Sequence, residues 1–271
     1  MTELVSGQEF YEQGIKYYNT CCYELAMEYY RRAFQKEHIK SAVKIGYMYE
    51  HGIYVVKNYN EAFKYYKWGV KHGSTSAMVR LGNMWQNGCG CKFNCGKAIK
   101  FYTMASKYDY ALGYANLGYM YLEGLGVSID HAKAYDLIYQ AVLLQCPVAY
   151  YYLSKLYRRG NFVNKNKKKA FELCHEAILR GSTQAYNDLG VMYLSGDGCE
   201  KNIEKAYEMF QKALSYGNHI CKINLAYMLA NGVYLTQDMR GTVELIKSLP
   251  DYNKSKTSAK IMHDLRTKTD V

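Results

Sequence analysis

A glycine returns every 36 residues along this chain, at Gly52, Gly88, Gly124, Gly160, Gly196 and Gly232, without an insertion or a deletion. A period of that length kept in strict register describes one short supersecondary unit copied side by side. Such a unit cannot bury an apolar face alone and must stack on its copies. The same step carries Ala62, Ala98, Ala134, Ala170 and Ala206. It also carries an aliphatic followed by a small residue at Ile45-Gly46, Leu81-Gly82, Leu117-Gly118, Leu153-Ser154, Leu189-Gly190 and Leu225-Ala226. An aromatic stands three residues beyond each small residue, at Tyr49, Trp85, Tyr121, Tyr157 and Tyr193, with Leu229 in the last copy.

Inside a unit, positions 41, 45, 46 and 49 share one helical face, which predicts a first helix, A, that approaches its neighbour closely. The glycine at 52 and its equivalents ends helix A. A loop follows, then a polar residue in every copy (Asn58, Asn94, Asp130, Asn166, Asn202, Asp238), the N-cap expected of a second helix, B. Glu61, three residues after Asn58, predicts a capping box in the first unit, where the other copies have Lys or Gly. With two prolines against 22 glycines and 49% hydrophobic residues, the fold class expected is all-α.

The domain reading is a shortened repeat at 1–38, six full units at 39–74, 75–110, 111–146, 147–182, 183–218 and 219–254, and a capping helix with tail at 255–271. The N-terminal copy (Gly14, Tyr17, Tyr18, Ala26, Tyr29, Tyr30) lacks four loop residues, since Gly14 to Ala26 is 12 residues where Gly46 to Ala62 is 16. Pro250 cuts helix B of the last unit. Ala259, Ile261, Met262 and Leu265 then read as an amphipathic cap with a polar outer side.

A unit such as Ala115 to Ala134, with Leu117, Gly118, Tyr121, Gly124, Gly126, Val127, Asp130, Lys133 and Ala134 in place, resembles the Sel-1-like repeat, and Ala185 to Ala206 matches again. The resemblance covers essentially the whole chain. The short N-terminal copy is similar in spacing to a tetratricopeptide unit. Repeat four lacks the second loop glycine, and repeat two carries Cys89, Cys91 and Cys95 in its loop. The resemblance implies a right-handed α-α superhelix, a solenoid of helix-loop-helix repeats, used as a scaffold or adaptor that holds a partner peptide or helix in its concave groove. In tetratricopeptide-like hairpins two rows of helix A face that groove: Tyr47, Asn83, Tyr119, Lys155, Val191 and Tyr227, and four residues earlier Val43, Val79, Ala115, Tyr151, Asn187 and Ile223. The binding residues expected are Tyr47, Asn83, Tyr119, Tyr151, Lys155, Asn187 and Tyr227, because tyrosine offers apolar area and a hydroxyl together. The methionine stripe beside them (Met48, Met84, Met120, Met192, Met228, with Leu156) reads as packing between helices.

Thirty-five Lys and Arg against 24 Asp and Glu leave a net charge of +11, which favours an acidic partner, an anionic surface or a nucleic acid without choosing among them. Arg158, Arg159, Lys165, Lys167, Lys168 and Lys169 form a basic patch without an acid, a solvated loop or an anchor for an acidic segment, phosphate or RNA. The alternative reading is a basic helical array that binds nucleic acid; against it, the groove rows carry few cations. The start of the chain has no basic n-region followed by an apolar stretch, and no run of about 18 apolar residues occurs. A cytoplasmic protein without a membrane partner is therefore expected, located in a host cell if the chain is viral or an effector. Nine cysteines without pairwise spacing read as reduced thiols. Cys89, Cys91 and Cys95 read as loop thiols in preference to a zinc site, because they lack a paired knuckle. The seven histidines fall at unrelated repeat positions and no catalytic motif is present, so neither enzyme activity nor a cofactor is expected. The last three residues, Thr269, Asp270 and Val271, fit a strand-addition peptide no better than chance.

Overall fold

The computed structural model describes residues 6–230, with Glu244 and Ser248. Among the described residues there are thirteen α-helices and no strand. The chain divides into two compact units, Met1–Leu144 and Gln145–Val271. The first holds α1 (Gly7–Asn19), α2 (Tyr23–Gln35), α3 (Ile39–His51), α4 (Tyr59–Lys71), α5 (Thr75–Asn87), α6 (Cys95–Ser106), α7 (Ala111–Glu123) and α8 (His131–Leu143). The second holds α9 (Pro147–Arg159), α10 (Lys167–Leu179), α11 (Ala185–Ser195), α12 (Ile203–Ser215) and α13 (Cys221–Ala230). Odd-numbered helices are the A helices and even-numbered ones the B helices. Within each unit a B helix packs both on its own A helix and on the next one, as α4 does on α3 and α5, and α10 on α9 and α11. The capping helix at 255–271, Gly232, Asp238, Pro250 and the C-terminal tripeptide lie outside the described residues.

The small residue of helix A is a socket for a side chain of helix B. A Cβ placed on Gly46 would lie 2.6 Å from the Tyr66 ring, on Gly82 2.7 Å from Cδ1 of Tyr102, on Gly118 2.7 Å from Ile138 and on Gly190 2.6 Å from the Phe210 ring. The short N-terminal hairpin uses the same device, Gly14 against Tyr30. In the fourth full repeat the socket is filled by Ser154, and the knob shrinks to Cys174, whose thiol donates to the Ala185 carbonyl at 3.5 Å and is pushed up to about 12 by its burial and by the Asp188 carboxylate. All these knobs are fully buried, a favourable transfer of roughly 1.5–3 kcal/mol for each large side chain.

The position four residues beyond the socket answers the knob's chemistry. Glu50 accepts the Tyr66 hydroxyl at 2.6 Å and Gln86 accepts that of Tyr102 at 2.7 Å. With Ile138 and Phe210 as knobs the same position is apolar, Leu122 and Leu194, whereas beside Cys174 it is Arg158. Burial, and then the charge of Glu50, push the Tyr66 phenol well above its ordinary range, so it remains a donor. The methionine stripe with Leu156 is fully buried, as helix packing requires.

The expected N-caps form at Asn58, Asn94, Asp130, Asn166 and Asn202. Each side-chain oxygen accepts the backbone N–H three residues on, at 2.8–3.1 Å. The capping box at Glu61 does not form. The backbone N–H that it would accept, that of Asn58, donates to the Tyr49 carbonyl at 2.9 Å, and Glu61 instead accepts from Lys64. That loop-closing bond recurs from Asn94 to Trp85, Asp130 to Tyr121, Asn166 to Tyr157 and Asn202 to Tyr193. It brings the third residue of helix B over the helix A aromatic. Lys97 Nζ lies 3.9 Å from the Trp85 ring centroid, Lys133 4.3 Å from Tyr121, Lys169 4.3 Å from Tyr157 and Lys205 5.6 Å from Tyr193. A cation over an aromatic face contributes about 0.5–1 kcal/mol at such sites, which offsets the cost of a lysine at a helix N-terminus.

The second loop glycine is the contact between consecutive repeats. Gly90 lies against Tyr59, Gly126 against Cys95 and Gly198 against Lys167, in each case the first residue of the preceding B helix. In the fourth full repeat, where sequence shows no glycine, Phe162 adopts the same left-handed conformation (φ 64°), as Tyr54 does in the first.

Candidate functional site

Helix A presents one buried and one half-exposed row. Of the two rows expected to line the groove, the one beginning at Tyr47 is half-exposed through Asn83, Tyr119 and Lys155, and Tyr227 is exposed. The row four residues earlier turns inward at Val79 and Ala115, both buried. The half-exposed row is joined by its neighbour, whose members Lys44, Arg80 and Asn116 in the first unit and Asp188 and Asn224 in the second reach back to the previous A helix of the same unit. Sequence reasoning passed over this second row, although two cations at one repeat position, Lys44 and Arg80, were there to be seen.

In the first unit, Tyr47 stacks on His51 with 4.0 Å between ring centroids, and the Arg80 guanidinium lies 5.0 Å from its ring. Its hydroxyl is hydrogen-bonded to Tyr18. Arg80 also approaches Glu50 at 3.7 Å. Asn83 is engaged from two sides, its Oδ1 accepting from the Tyr102 hydroxyl at 2.7 Å and from Asn116 Nδ2 at 3.3 Å. Lys44 lies over the Tyr18 ring at 5.5 Å; burial, and then the neighbouring Arg80 charge, hold its ammonium below the usual lysine range.

In the second unit, Tyr151 is hydrogen-bonded to Asp188. Its phenol is pushed far above the ordinary range, first by burial and then by that carboxylate. Asn187 Oδ1 accepts from Asn224 Nδ2 at 2.9 Å. Tyr151 and Asn187 therefore tie adjacent A helices together, whereas Lys155, 5.8 Å from the Tyr151 ring, and Tyr227 stand further out.

The basic patch acquires an acid from the next repeat. Asp197 receives Arg158 Nε at 2.9 Å and Lys167 Nζ at 2.7 Å. Burial alone would raise its carboxyl, but these two cations overcome that and hold it below the usual range. Lys169 donates to the Tyr157 hydroxyl at 2.9 Å. Arg159, Lys165 and Lys168 are the outer members of the patch, with Lys165 and Lys168 exposed and Arg159 exposed beside them at the end of α9.

Among the described residues no group of three or more His, Cys, Asp and Glu side chains is arranged to hold a metal ion. The Cys91 thiol donates to the Met84 carbonyl at 3.4 Å and Cys199 repeats the contact with Met192 at 3.6 Å. Cys174 and Cys221, which stand at the repeat positions of Tyr66 and Ala77, are fully buried. No described helix is long and apolar enough to cross a membrane.

Comparison with known proteins bears on the fold. A family model described as Sel1 repeat matches seven times, over residues 7–38, 39–67, 75–107, 111–145, 147–182, 183–218 and 220–245, the short N-terminal hairpin included. The solved structure of a Sel1 repeat protein from Oxalobacter formigenes is similar with a TM-score of 0.65 at 22% identity, covering 89% of this chain and 98% of that one. A protective antigen of uropathogenic Escherichia coli displaying an SLR fold is similar at 0.56 and 23% identity over 94% of this chain, which spans 54% of that longer protein. No curated protein sequence matches the chain.

Proposed function

We infer that this chain, which belongs to the Sel1 repeat family, is a non-catalytic adaptor that holds a partner polypeptide against the half-exposed row of its A helices. Sel1 repeat proteins are in general scaffolds for protein–protein interaction. The observation that carries the finer reading is the contrast between adjacent rows. The methionine stripe is fully buried, while one residue earlier Tyr47 and Tyr119 keep part of their rings open to solvent and Tyr227 is 48% exposed. Half-exposed tyrosines on rigid helices lose little entropy on binding and offer both apolar area and a hydroxyl. The nucleic-acid alternative has less support, because Arg158 and Lys167 are paired with Asp197 and Lys169 lies on Tyr157.

The test is a double substitution, Tyr47→Ala with Tyr119→Ala. Tyr151 is unsuitable, since losing its bond to Asp188 would disturb the stack. The double variant is expected to melt within about 5 °C of the parent. It should retain less than about a tenth of the partner that the parent captures from its native cells, as the loss of two aromatic anchors predicts. Undiminished capture by a folded double variant would remove this face from consideration.

A further inference from the structure

Two cations occupy the same position of the first and second full repeats, near enough for the Arg80 charge to act on Lys44, and among the described residues neither side chain has a hydrogen-bond acceptor. Lys44 on α3 touches the Tyr18 ring face at 5.5 Å, and no carboxylate of the described residues lies within ion-pairing distance of it. Arg80 on α5 lies over Tyr47 at 5.0 Å, and its one acid among the described residues, Glu50, is 3.7 Å away, too far for a hydrogen bond. An ammonium carries three N–H donors and a guanidinium five, so the pair holds a large unused donor capacity. Both side chains are partly buried, the Arg80 side chain only 34% exposed. No nitrogen of either side chain is buried without a partner, so these donors are open to water and an incoming anion can reach them.

Other members of the row show what is missing. Asn116 donates to Asn83, Asn224 donates to Asn187, and Asp188 is bonded to Tyr151, each tying its helix to the previous one. Lys44 meets the previous A helix through a ring face alone, and Arg80 meets it through a ring face and a 3.7 Å approach to Glu50 that is too long for a hydrogen bond. Building on the reading of the A-helix face as the partner surface, we propose that Lys44 and Arg80, flanked by Tyr18 and Tyr47, form a subsite that receives a carboxylate of the bound polypeptide. Glu50 selects the charge. Two cations against one carboxylate leave a single positive charge, suited to a carboxylate, whereas a dianionic phosphate would be brought against Glu50. Burial, and then the Arg80 charge, hold Lys44 below the usual lysine range, and an incoming carboxylate would offset the second of these.

The carboxylate has two sources, an Asp or Glu side chain or a free C-terminus, and peptide selection on the full-length protein separates them. Two random twelve-residue libraries would be used, one displayed with free C-termini and one with both ends blocked by fusion. The subsite predicts enriched peptides with an acidic residue at one register in the blocked library, or a recurrent free terminus in the open one. Resynthesising a selected peptide with the carboxylate as its amide should weaken binding to the parent protein about tenfold or more. The same change should cost less than about twofold on Lys44→Met with Arg80→Met, and Arg80→Lys should keep part of the discrimination. Peptides that bind the A-helix face equally well as acid and amide, or whose discrimination survives the double substitution, overturn the subsite and leave the adaptor reading standing. Enrichment of no peptide from either library overturns both.

Discussion

Gly198→Ala is expected to lower stability by about 2–5 kcal/mol, the sum of two effects that the structure separates. The residue sits at φ 87°, where an L side chain costs roughly 1–2 kcal/mol. An added Cβ would also stand 2.5 Å from the Lys167 carbonyl carbon and closer still to its oxygen. That neighbour is backbone at the first residue of α10 and cannot rotate away, so the loop must lift off the helix, an overpacking cost of about 1–3 kcal/mol. Lifting it also pulls Asp197 from Arg158 and Lys167. Gly181 is the control, with φ 96° and nothing within 4 Å of the place where a methyl group would stand. Gly181→Ala should show the conformational cost alone. Urea unfolding of both variants measures the difference, and equal losses would mean that the loop contact contributes nothing.

Tyr102→Ala is expected to cost about 3–5 kcal/mol, the range for emptying a buried aromatic site. The ring is fully buried in the Gly82 socket, and its hydroxyl is directed to both Asn83 and Gln86. Removing it leaves a cavity and takes the hydroxyl donor from Gln86, while Asn83 keeps the bond from Asn116. Gly82→Ala alone should cost about 1–3 kcal/mol by pushing on the ring. In the Tyr102→Ala background the same alanine has room and should cost little or restore some packing. A double-mutant cycle followed by denaturant titration reads that coupling directly. Additive losses would show that the socket and the knob are independent. In a stack whose repeats touch only their neighbours, hydrogen exchange should rise most in α5, α6 and α7.

The parts legible in the sequence are those that repeat. The glycine step, the Asn or Asp caps, the buried alanines and the methionine stripe are each a local choice made in nearly every copy. Cys174 was recognisable as a knob because it stands where Tyr66 and Phe210 stand. What occurs once, or depends on loop length, was not legible. The capping box at Glu61 looked sound until the loop placed the Tyr49 carbonyl on the same N–H. The basic run seemed to lack an acid because Asp197 comes from the next repeat, 39 residues after Arg158. For the candidate site, sequence located the row of Tyr47, Asn83 and Tyr119. It could not foresee that Tyr151 and Asn187 would be engaged with neighbouring helices, or that Val79 and Ala115 would turn inward, since face and depth depend on how α5 and α7 lean on their B helices.

Site-specific photo-crosslinking in the native cells addresses the central claim most directly, with the reactive side chain placed either at Tyr119 on the A-helix row or at Lys67, an exposed residue of the B helix α4. The account predicts a discrete polypeptide adduct from position 119 and none from position 67. An adduct from position 67 with nothing captured at 119 would contradict it.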